Sequence, residues 1–558
     1  MKRSSFSFCL LAISFLIGGC ASKNLPKNLT SPAVRTASQR SVAIDYHNSG
    51  FIRLQEPDYL SFQELELLSS NPAPTGPLSE KLARFWTTPI IDNRAFYSGV
   101  RPTLGKNQLL GEFVRVATWN IEKSYQMSEV IGGLTSESIY RSQINPEFAP
   151  EGSERRNEML RQRVRLATSD IILLQEMDIG VNRSGYRNAA RDLANALGMN
   201  YAYGAQTLEI DPVILGLEPI RERSGKIDTT TTEFFQADPD RYKGVFGSAV
   251  LSKFPIKNVE VFQLKTLGYD WYEGEKARPT FLEGSRRLGA KLAFHNIIAR
   301  EMKVGGRNFF RVDLEVPGLP NNTLTIINIH LEIKCLPDVR KKQMEEILSY
   351  IGDIDNPVVM AGDHNSSSTD ISPTSIERAF VRATQKPSSY LSLGAMALAG
   401  PAVLVNDMRI ALNGAKNFHT PLALNIPVLA PNPVKPMINS VRRFRFDDGG
   451  GFDFRGDHER SINGRSGALA NSNHKDLKGQ VSSFSVKRPI GVFGLYRLDW
   501  VWVKPYGGVS PERNGSYAFS PHFGETLVDF NKGLSTPYSD HRPCIIDLPL
   551  AEPLVGNR

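Results

Sequence analysis

Short apolar runs recur along the chain, and each is followed at once by an acid, an amide or an imidazole. Residues 113–122 alternate like a β-strand and deliver Asn120 and Glu122, two residues apart, to the same side of the strand end. Residues 170–176 form a continuous apolar strand that ends in Glu176. A helix-like stretch separates the two runs. This alternation of strand and helix predicts an α/β domain with polar side chains at its strand ends.

Four further runs continue the pattern toward the C-terminus. They are residues 247–255, 324–331, 357–365 and 496–503. The second ends in His330, the third places Asp363 and Asn365 two residues apart, and the fourth carries Asp499. A carboxylate on so apolar a strand needs a partner, because an unpaired buried charge is costly.

Asp540 and His541 stand side by side in a polar turn before the last apolar run, residues 544–548. A carboxylate beside an imidazole can hold a metal ion while the imidazole handles a proton or a phosphate oxygen. An isolated Ser-Asp-His is more often a hydrogen-bonded surface turn. The acidic and amide motifs upstream favour the functional interpretation here.

Helical spacing is clearest in a basic amphipathic stretch over residues 154–169, for which we predict Leu160, Val164 and Ala167 on the inward face. Residues 61–68 and 78–86 predict two short helices near the N-terminus. We expect residues 47–110 to pack on the main domain as an N-terminal addition.

The N-terminus has the pattern of a processing segment. Basic residues at positions 2 and 3 precede an apolar stretch, residues 6–17, and small residues lead to Cys20. Residues 1–19 resemble a bacterial lipoprotein signal peptide, with acylation of Cys20 and a polar tether over residues 20–46. The alternative is an uncleaved anchor, although the apolar stretch is short for a membrane span. Ala21 after the cysteine resembles sorting to the outer membrane, so we expect an exported protein that is lipid-anchored to the cell envelope.

Composition sets only loose limits on function. The 558 residues are 41% hydrophobic and 22% charged, as in ordinary globular proteins. The net charge of +8 permits an anionic partner without requiring one. Cys335 and Cys544 are the cysteines left in the folded part, either as a disulfide or as two buried thiols.

Seven motifs in sequence order resemble those of the endonuclease/exonuclease/phosphatase superfamily. They are Thr-Trp-Asn-Ile (118–121), Leu-Gln-Glu (174–176), Gly-Ser-Ala-Val-Leu-Ser (247–252), Asn-Ile-His-Leu (328–331), Gly-Asp-His-Asn (362–365), Arg-Leu-Asp (497–499) and Ser-Asp-His (539–541). The resemblance implies a four-layered α/β sandwich in which two mixed β-sheets pack face to face with helices outside. It covers residues 111–550, with a large insertion at about residues 366–494.

The resemblance also implies a metal-dependent phosphoesterase site. The expected ligands of Mg²⁺ or Mn²⁺ are Glu176, Glu122, Asn120 and Asp540, hard oxygen donors of the kind that these ions prefer. The expected catalytic residues are His541 facing the phosphate, Asp499 orienting it, Asp363 and Asn365 positioning water and phosphate, and His330 donating to a non-bridging oxygen. Either His541 or Asp363 fits the general base.

Several positions depart from the pattern of abasic-site endonucleases in this superfamily. Glu122 stands where they carry Asp, Ser248 where many relatives have Asn, and His364 where an aromatic residue is usual. His330 is unlike the Tyr of the abasic-site enzymes and like the His of secreted nucleases, sphingomyelinases and phosphatases. These departures, together with export, disfavour a role in DNA repair.

Three functions remain open from the sequence. The first is hydrolysis of phosphodiester or phosphomonoester bonds of lipid headgroups or small phosphoesters at the cell envelope. The second is an exported nuclease that degrades DNA or RNA, and the third is a non-catalytic surface or binding protein that keeps the fold. We expect a membrane association through lipidated Cys20 and no obligate protein partner.

The insertion offers two further hypotheses. Its uncharged run, residues 390–405, is either buried on the domain or presents amphiphilic phosphoesters to the site from a lipid surface. Its polar part, residues 442–478, has arginines that the acids at 447, 448, 453 and 457 nearly cancel, which predicts an internally paired loop.

Overall fold

The computed structural model describes residues 50–220, 227, 229–276, 301–366, 435–455, 460, 475–476, 479–480, 482–490, 493–506 and 515–554. The predicted signal peptide, the tether with Cys20 and the apolar run at residues 390–405 lie outside this part of the chain. Within the described ranges, no helix is both long and apolar enough to cross a membrane.

Strands supply the two sheets of the domain and two small hairpins. In chain order they are β1 (Leu54–Gln55), β2 (Ile90–Asp92), β3 (Gly105–Asn107), β4 (Gly111–Asn120), β5 (Ile171–Ile179), β6 (Asn200–Glu209), β7 (Val245–Ser252), β8 (Ile256–Gln263), β9 (Lys303–Gly305), β10 (Asn308–Glu315), β11 (Thr323–His330), β12 (Val358–Asp363), β13 (Lys475–Asp476), β14 (Gly479–Gln480), β15 (Phe484–Ile490), β16 (Phe493–Tyr496), β17 (Asp499–Lys504), β18 (His522–Thr526) and β19 (Cys544–Pro549).

The helices connect the strands and cover the sheets. They are α1 (Phe62–Ser70), α2 (Pro77–Thr87), α3 (Arg94–Tyr97), α4 (Met127–Thr135), α5 (Glu137–Gln143), α6 (Glu154–Ala167), α7 (Ala189–Leu197), α8 (Thr229–Phe235), α9 (Glu273–Lys276), α10 (Pro337–Tyr350), α11 (Lys435–Arg443) and α12 (Val528–Lys532). Short 3₁₀ turns occur at Glu122–Ser124, Asn182–Ser184 and Pro320–Asn322.

Both principal sheets are mixed, as predicted. The larger, ten-stranded sheet runs β1-β2-β6-β7-β5-β4-β19-β18, with β3 on β4 and β9 on β6. The smaller, five-stranded sheet runs β17-β12-β11-β10-β8. The pairs β4–β5 and β11–β12 are parallel, whereas β19 and β17 run antiparallel to their neighbours β4 and β12.

The two sheets pack face to face, and alternate side chains of each strand define the layers. Val359 and Ala361 of β12 enter the core between the sheets together with Leu173 of β5. The intervening side chain of Met360 faces the opposite way, against α10 and α11. Leu174 likewise faces the helices that cover the larger sheet. The four-layered α/β sandwich expected from the sequence is therefore confirmed.

The residues before the main domain enter its sheet as well as its surface. β2 pairs with β6 in the larger sheet, and β3 pairs with β4. Leu65 of α1 and Phe85 of α2 are buried in the helical core on that side. The structure thus gives this N-terminal segment both strands and helices, where the sequence indicated helices alone.

The described part of the insertion is folded onto the smaller sheet. Met437 and Val441 of α11 are buried in the core beside α10. Farther along, Asp453 forms ion pairs of 3.0 and 3.2 Å with Arg455 and Arg460. These contacts agree with the internally paired loop expected from the balance of arginines and acids.

The predicted inward face of α6 is confirmed for Leu160 and Ala167, which pack partly buried against the core, and is wrong for Val164. Val164 is 37% exposed, whereas Met159 and Arg165 are buried. Arg165 is buried because Glu525 and Asp547 pair with its guanidinium at 3.1 and 3.4 Å. A pattern of apolar spacing cannot find a helix face that is buried through charge pairing.

Cys335 and Cys544 are both buried, and their Sγ atoms contact the backbone carbonyls of Glu332 and Arg542 at 3.2 and 3.8 Å. The sequence left their pairing open, and the structure favours the alternative of two separate thiols.

Gly362 is required near the ends of the paired strands β11 and β12, where it lies opposite Ile329. Its φ of +143° is one that residues with a Cβ rarely adopt. A Cβ at this position would also collide with the backbone carbonyl oxygen of Ile329. The glycine of the Gly-Asp-His-Asn motif therefore permits close approach of the two strands that carry His330 and Asp363.

We expect Gly362→Ala to lower the free energy of unfolding by roughly 3 kcal/mol or more, because backbone strain and overpacking act together. Gly318→Ala is the matched control, since Gly318 also has a positive φ, +91°, but open space around its Cβ position. The control should lose only about 1–2 kcal/mol. Equal losses in denaturant titrations of the two variants would contradict the proposed collision.

Candidate active site

The topology brings the predicted site residues to one edge of the sandwich. The pairing of the parallel strands β4 and β5 ends at Asn120 and Gln175, which places Asn120 beside Glu176. The parallel strands β11 and β12 end with His330 opposite Asp363. Asp363 in turn lies opposite Asp499, where the antiparallel strand β17 begins.

The turn that carries Asp540 and His541 reaches the same edge because β19 starts there, with Cys544 opposite Thr118 of β4. Two contacts fix this turn on β4. The Ser539 hydroxyl donates to the Asn120 carbonyl at 2.7 Å, and the Trp119 indole donates to the His541 carbonyl at 3.1 Å. The Ser and Trp of the two motifs therefore hold the imidazole in place.

The Asn120 side chain joins the two sheets at the site. Its amide nitrogen donates to Glu176 Oε1 and to Asp363 Oδ2, both at 3.1 Å. Its amide oxygen accepts from the Glu122 backbone N–H at 3.1 Å. Asn120 is buried, and one amide thus orders a carboxylate from each sheet.

An irregularity in β5 sets the direction of the Glu176 side chain. The pairing of β5 with β7 shifts register between Leu174 and Met177, and Glu176 has a φ of +61°. Such bulges re-aim a side chain, and they occur often next to active sites. Glu122 and Asn365 also have positive φ values, +48° and +47°. Three of the nine predicted site residues in the described chain therefore have an unusual backbone conformation, which is typical of functional sites.

His541 and Asp499 form a buried pair. His541 Nδ1 donates to Asp499 Oδ2 at 2.8 Å, and Nε2 lies 3.8 Å from Asp363 Oδ2. Burial disfavours the charged imidazole, but Asp499 outweighs burial and raises the pKa of His541 well above its usual value. The pairing leaves Nε2 of His541 directed at Asp363, as expected for an imidazole oriented by a carboxylate.

Negative charge is crowded at this edge. Burial raises the pKa of Asp363 to about 7, and the nearby Asp499 adds to the rise against the lowering effect of His541. Burial also raises the pKa of Asp540 well above its usual value, and Glu122 and Glu176 contribute. The Asp540 backbone N–H donates to Glu122 Oε2 at 3.0 Å, so these two candidate ligands are adjacent.

His330 faces the same space from β11. Its Nε2 lies 3.9 Å from Glu176 Oε1 and 3.8 Å from Asp363 Oδ2. Burial lowers the pKa of His330 well below its usual value, and the Arg307 guanidinium lowers it further. His330 is therefore a neutral imidazole between the two carboxylates.

Asn365 is oriented mainly by its own loop. Its backbone N–H donates to Asp363 Oδ1 at 2.7 Å, and its side-chain amide donates to the Leu331 carbonyl at 3.0 Å. The side chain is buried next to Asp363.

The donor set fits a hard divalent cation. Glu176, Glu122 and Asp540 offer carboxylate oxygens, the donors that Mg²⁺ and Mn²⁺ prefer. Burial, with a further contribution from Glu122 and Glu176, raises the pKa of Asp540, and a bound cation would offset both effects. Across the described ranges, no group of three or more acidic, imidazole or thiol side chains is already arranged to hold a metal ion. The fit therefore rests on the chemistry and charge of the donors.

Of the positions that depart from the usual motifs, His364 has a structural role here. His364 accepts from the Trp502 indole at 3.1 Å and donates to the Gly362 carbonyl at 2.9 Å, so its imidazole belongs to the core. Burial lowers its pKa to about 4. Ser248 is buried in β7.

Sequence patterns missed two neighbours of the site. Arg307 contacts His330 Nδ1 at 2.9 Å, and the Phe484 ring lies 5.0 Å from the His541 ring. Alternation of Phe310, Val312 and Leu314 was a usable signal for β10, the strand that follows Arg307. A shorter alternation, in which Phe484 and Val486 are each followed by a polar residue, was a weaker signal of the same kind for β15.

Comparison with known proteins identifies one matching family model, described as the Endonuclease/Exonuclease/phosphatase family, over residues 117–541. A search of curated proteins found no match. Solved structures to which this chain is similar include an endonuclease/exonuclease/phosphatase from Beutenbergia cavernae DSM 12333, with 14% identity, coverage of 79% of this chain and 72% of that chain, and a TM-score of 0.33. The human Nocturnin catalytic domain with bound sulfate anion has 12% identity, coverage of 78% and 93%, and a TM-score of 0.31. A 3'-5' exonuclease from Neisseria meningitidis has 11% identity, coverage of 78% and 99%, and a TM-score of 0.34.

We expect Asn120→Asp to destabilise the metal-free protein by about 3–5 kcal/mol, because it replaces a donor between two carboxylates with a third carboxylate. Mg²⁺ should recover part of this loss, in excess of its effect on the wild type. Thermal melts with and without Mg²⁺ at constant ionic strength measure both effects.

Asn328→Asp is the matched control. Asn328 is equally buried, but its amide nitrogen donates to the backbone carbonyls of Leu174 and Ala249 at 3.1 and 2.8 Å. This variant should lose stability without a gain in the response to Mg²⁺. Equal responses of both variants would contradict the cation site at Asn120.

Proposed function

The chain belongs to the endonuclease/exonuclease/phosphatase family, and on that basis we propose that it is a divalent-metal-dependent phosphoesterase, acting on phosphodiester or phosphomonoester bonds at the cell envelope. The observation that carries the proposal is the network around Asn120, which contacts Glu176, 56 residues away in sequence, and Asp363, 243 residues away. Burying carboxylates and imidazoles together is energetically costly, and a binding protein that only kept the fold would not need such a cluster at one edge.

The proposed cation ligands are Glu176, Glu122, Asn120 and Asp540. When bound, Mg²⁺ or Mn²⁺ would neutralise charge on the phosphoryl oxygens. Among these residues Asn120 has a second task, since its amide holds Glu176 and Asp363 at a fixed separation.

We assign the remaining catalytic roles to residues of the smaller sheet and of the turn that carries Asp540 and His541. Asp363 and Asn365 orient the attacking water and the phosphate, and His330 donates to a non-bridging oxygen. His541 contacts the phosphate through Nε2 while Asp499 holds Nδ1. The distance of 3.8 Å between His541 Nε2 and Asp363 Oδ2 leaves both groups within reach of one substrate oxygen.

The proposed location rests on the N-terminal sequence. We propose that residues 1–19 are removed as a signal peptide and that acylated Cys20 anchors the chain, through the tether at residues 20–46, to the outer membrane. Substrates embedded in or lying near a membrane would then be accessible to the site.

Glu176→Ala and His541→Ala should each lower turnover roughly 100-fold or more, because each removes a group that stabilises charge in the transition state. A panel of phospholipids, small phosphomonoesters and phosphodiesters, DNA and RNA, assayed with Mg²⁺ or Mn²⁺, identifies the substrate class and the activity to follow. Glu315→Ala is the control, since Glu315 pairs with Lys257 at 2.9 Å away from the site. Near-wild-type turnover of either site variant, with an unchanged melting temperature, would refute these assignments.

Cys20→Ala should abolish acylation and lipoprotein-type cleavage, so that no acylated species fractionates with membranes. Mass spectrometry of the N-terminal peptide and separation of membranes from cell extract measure the two effects. A wild-type protein that carries no lipid and stays in the extract would overturn the proposed anchor.

A further inference from the structure

The contact between Arg307 and His330 defines where the proton of the His330 imidazole lies. Arg307 Nη1 is 2.9 Å from His330 Nδ1. A guanidinium carries only donors, so His330 Nδ1 must accept and cannot carry a proton. The proton of the neutral ring is then on Nε2, the atom that faces Glu176 and Asp363 at 3.9 and 3.8 Å.

Contacts with neighbouring side chains hold Arg307 in the position that selects this tautomer of His330. It directly precedes β10, and the pairing of Phe309 with Ile329 brings the strand end alongside His330. Its Nε donates to Glu332 Oε2 at 3.2 Å, and its Nη1 also approaches Gln206 Oε1 at 3.4 Å.

The Glu332 carboxylate is itself held in place by two further hydrogen bonds. The Trp271 indole donates to the same Oε2 at 3.0 Å, and the Lys334 backbone N–H donates to Oε1 at 2.7 Å. The buried guanidinium therefore has a partner on each side, and its direction toward His330 follows from that support.

We infer that Arg307 is a positioning residue that fixes His330 in the tautomer with its proton on Nε2, aimed at the space between Glu176 and Asp363. This inference rests on the proposed function for its consequence, since an Nε2–H is the form that donates to a phosphoryl oxygen. Loss of the outer partner of a metal-ligating imidazole typically costs 10- to 100-fold in metal affinity or activity, and we expect a loss of that order for an imidazole that contacts the substrate.

The tautomer is measured by ¹⁵N NMR of the full-length, metal-free protein labelled in its nine histidines. His330→Gln assigns the signal by its loss. The wild-type ring should be protonated on Nε2 alone, and Arg307→Met should raise the share protonated on Nδ1. The same variant should lower kcat roughly 10- to 100-fold, with a smaller change in KM.

Arg307→Lys should restore part of both effects, because an ammonium group also donates to Nδ1. Arg311→Met is the control; Arg311 lies on β10, the strand that follows Arg307, and pairs with Asp313 at 3.2 Å. It should change neither the tautomer nor kcat.

A wild-type His330 protonated on Nδ1, or an unchanged tautomer in Arg307→Met, overturns the inference. If Arg307→Met does not fold, the wild-type spectrum and Arg307→Lys still decide it. A correct tautomer in a protein without phosphoesterase activity would overturn the proposed function and support the role of Arg307.

Discussion

The site depends first on the amide of Asn120. Glu176 belongs to the larger sheet and Asp363 to the smaller one, and the amide nitrogen donates to both at 3.1 Å. Without a donor between them, two carboxylates in this buried position would repel each other strongly. A second contact between the sheets lies directly beneath, where Gln175 donates to Asn328 at 2.8 Å. The distance between the sheets at the site is thus set by side-chain amides, which carry no charge of their own and tolerate burial once they are hydrogen-bonded.

The two imidazoles of the site are held by opposite kinds of partner. His541 Nδ1 meets the carboxylate of Asp499, an acceptor, and His330 Nδ1 meets the guanidinium of Arg307, a donor. The first partner favours a protonated ring and the second a neutral one, which agrees with the raised pKa of His541 and the lowered pKa of His330. Two residues of one type therefore acquire different chemistry from their surroundings alone, as paired titratable groups in active sites commonly do.

The sequence predicted the strands that carry a motif, because each combines an apolar run with a polar residue at its end. The structure brings together the polar residues at these strand ends, Asn120, Glu176, His330, Asp363, Asp499 and His541, at one edge of the sandwich. Sequence analysis missed the residues whose burial or position depends on partners distant in sequence. Arg165 is buried through acids some 360 and 380 residues away, and Arg307 reaches His330 only because β10 pairs with β11. Local periodicity carries no record of such pairings, and a buried arginine looks the same in a sequence as an exposed one.

The motifs also contain residues that support the backbone of the site and are not assigned a catalytic role. Ser539 and Trp119 hold the last turn, Gln175 joins the sheets, and Gly362 admits close approach of β12 to β11. Such residues support a backbone that is locally unfavourable, since Glu122, Glu176 and Asn365 all have positive φ values, each at a cost on the order of 1–3 kcal/mol. The three hydrophobic clusters within the described part of the sandwich can sustain that cost at one edge. A family resemblance carried by these motifs therefore reports a shared scaffold as much as shared chemistry, which is why it specifies the site residues more closely than the substrate.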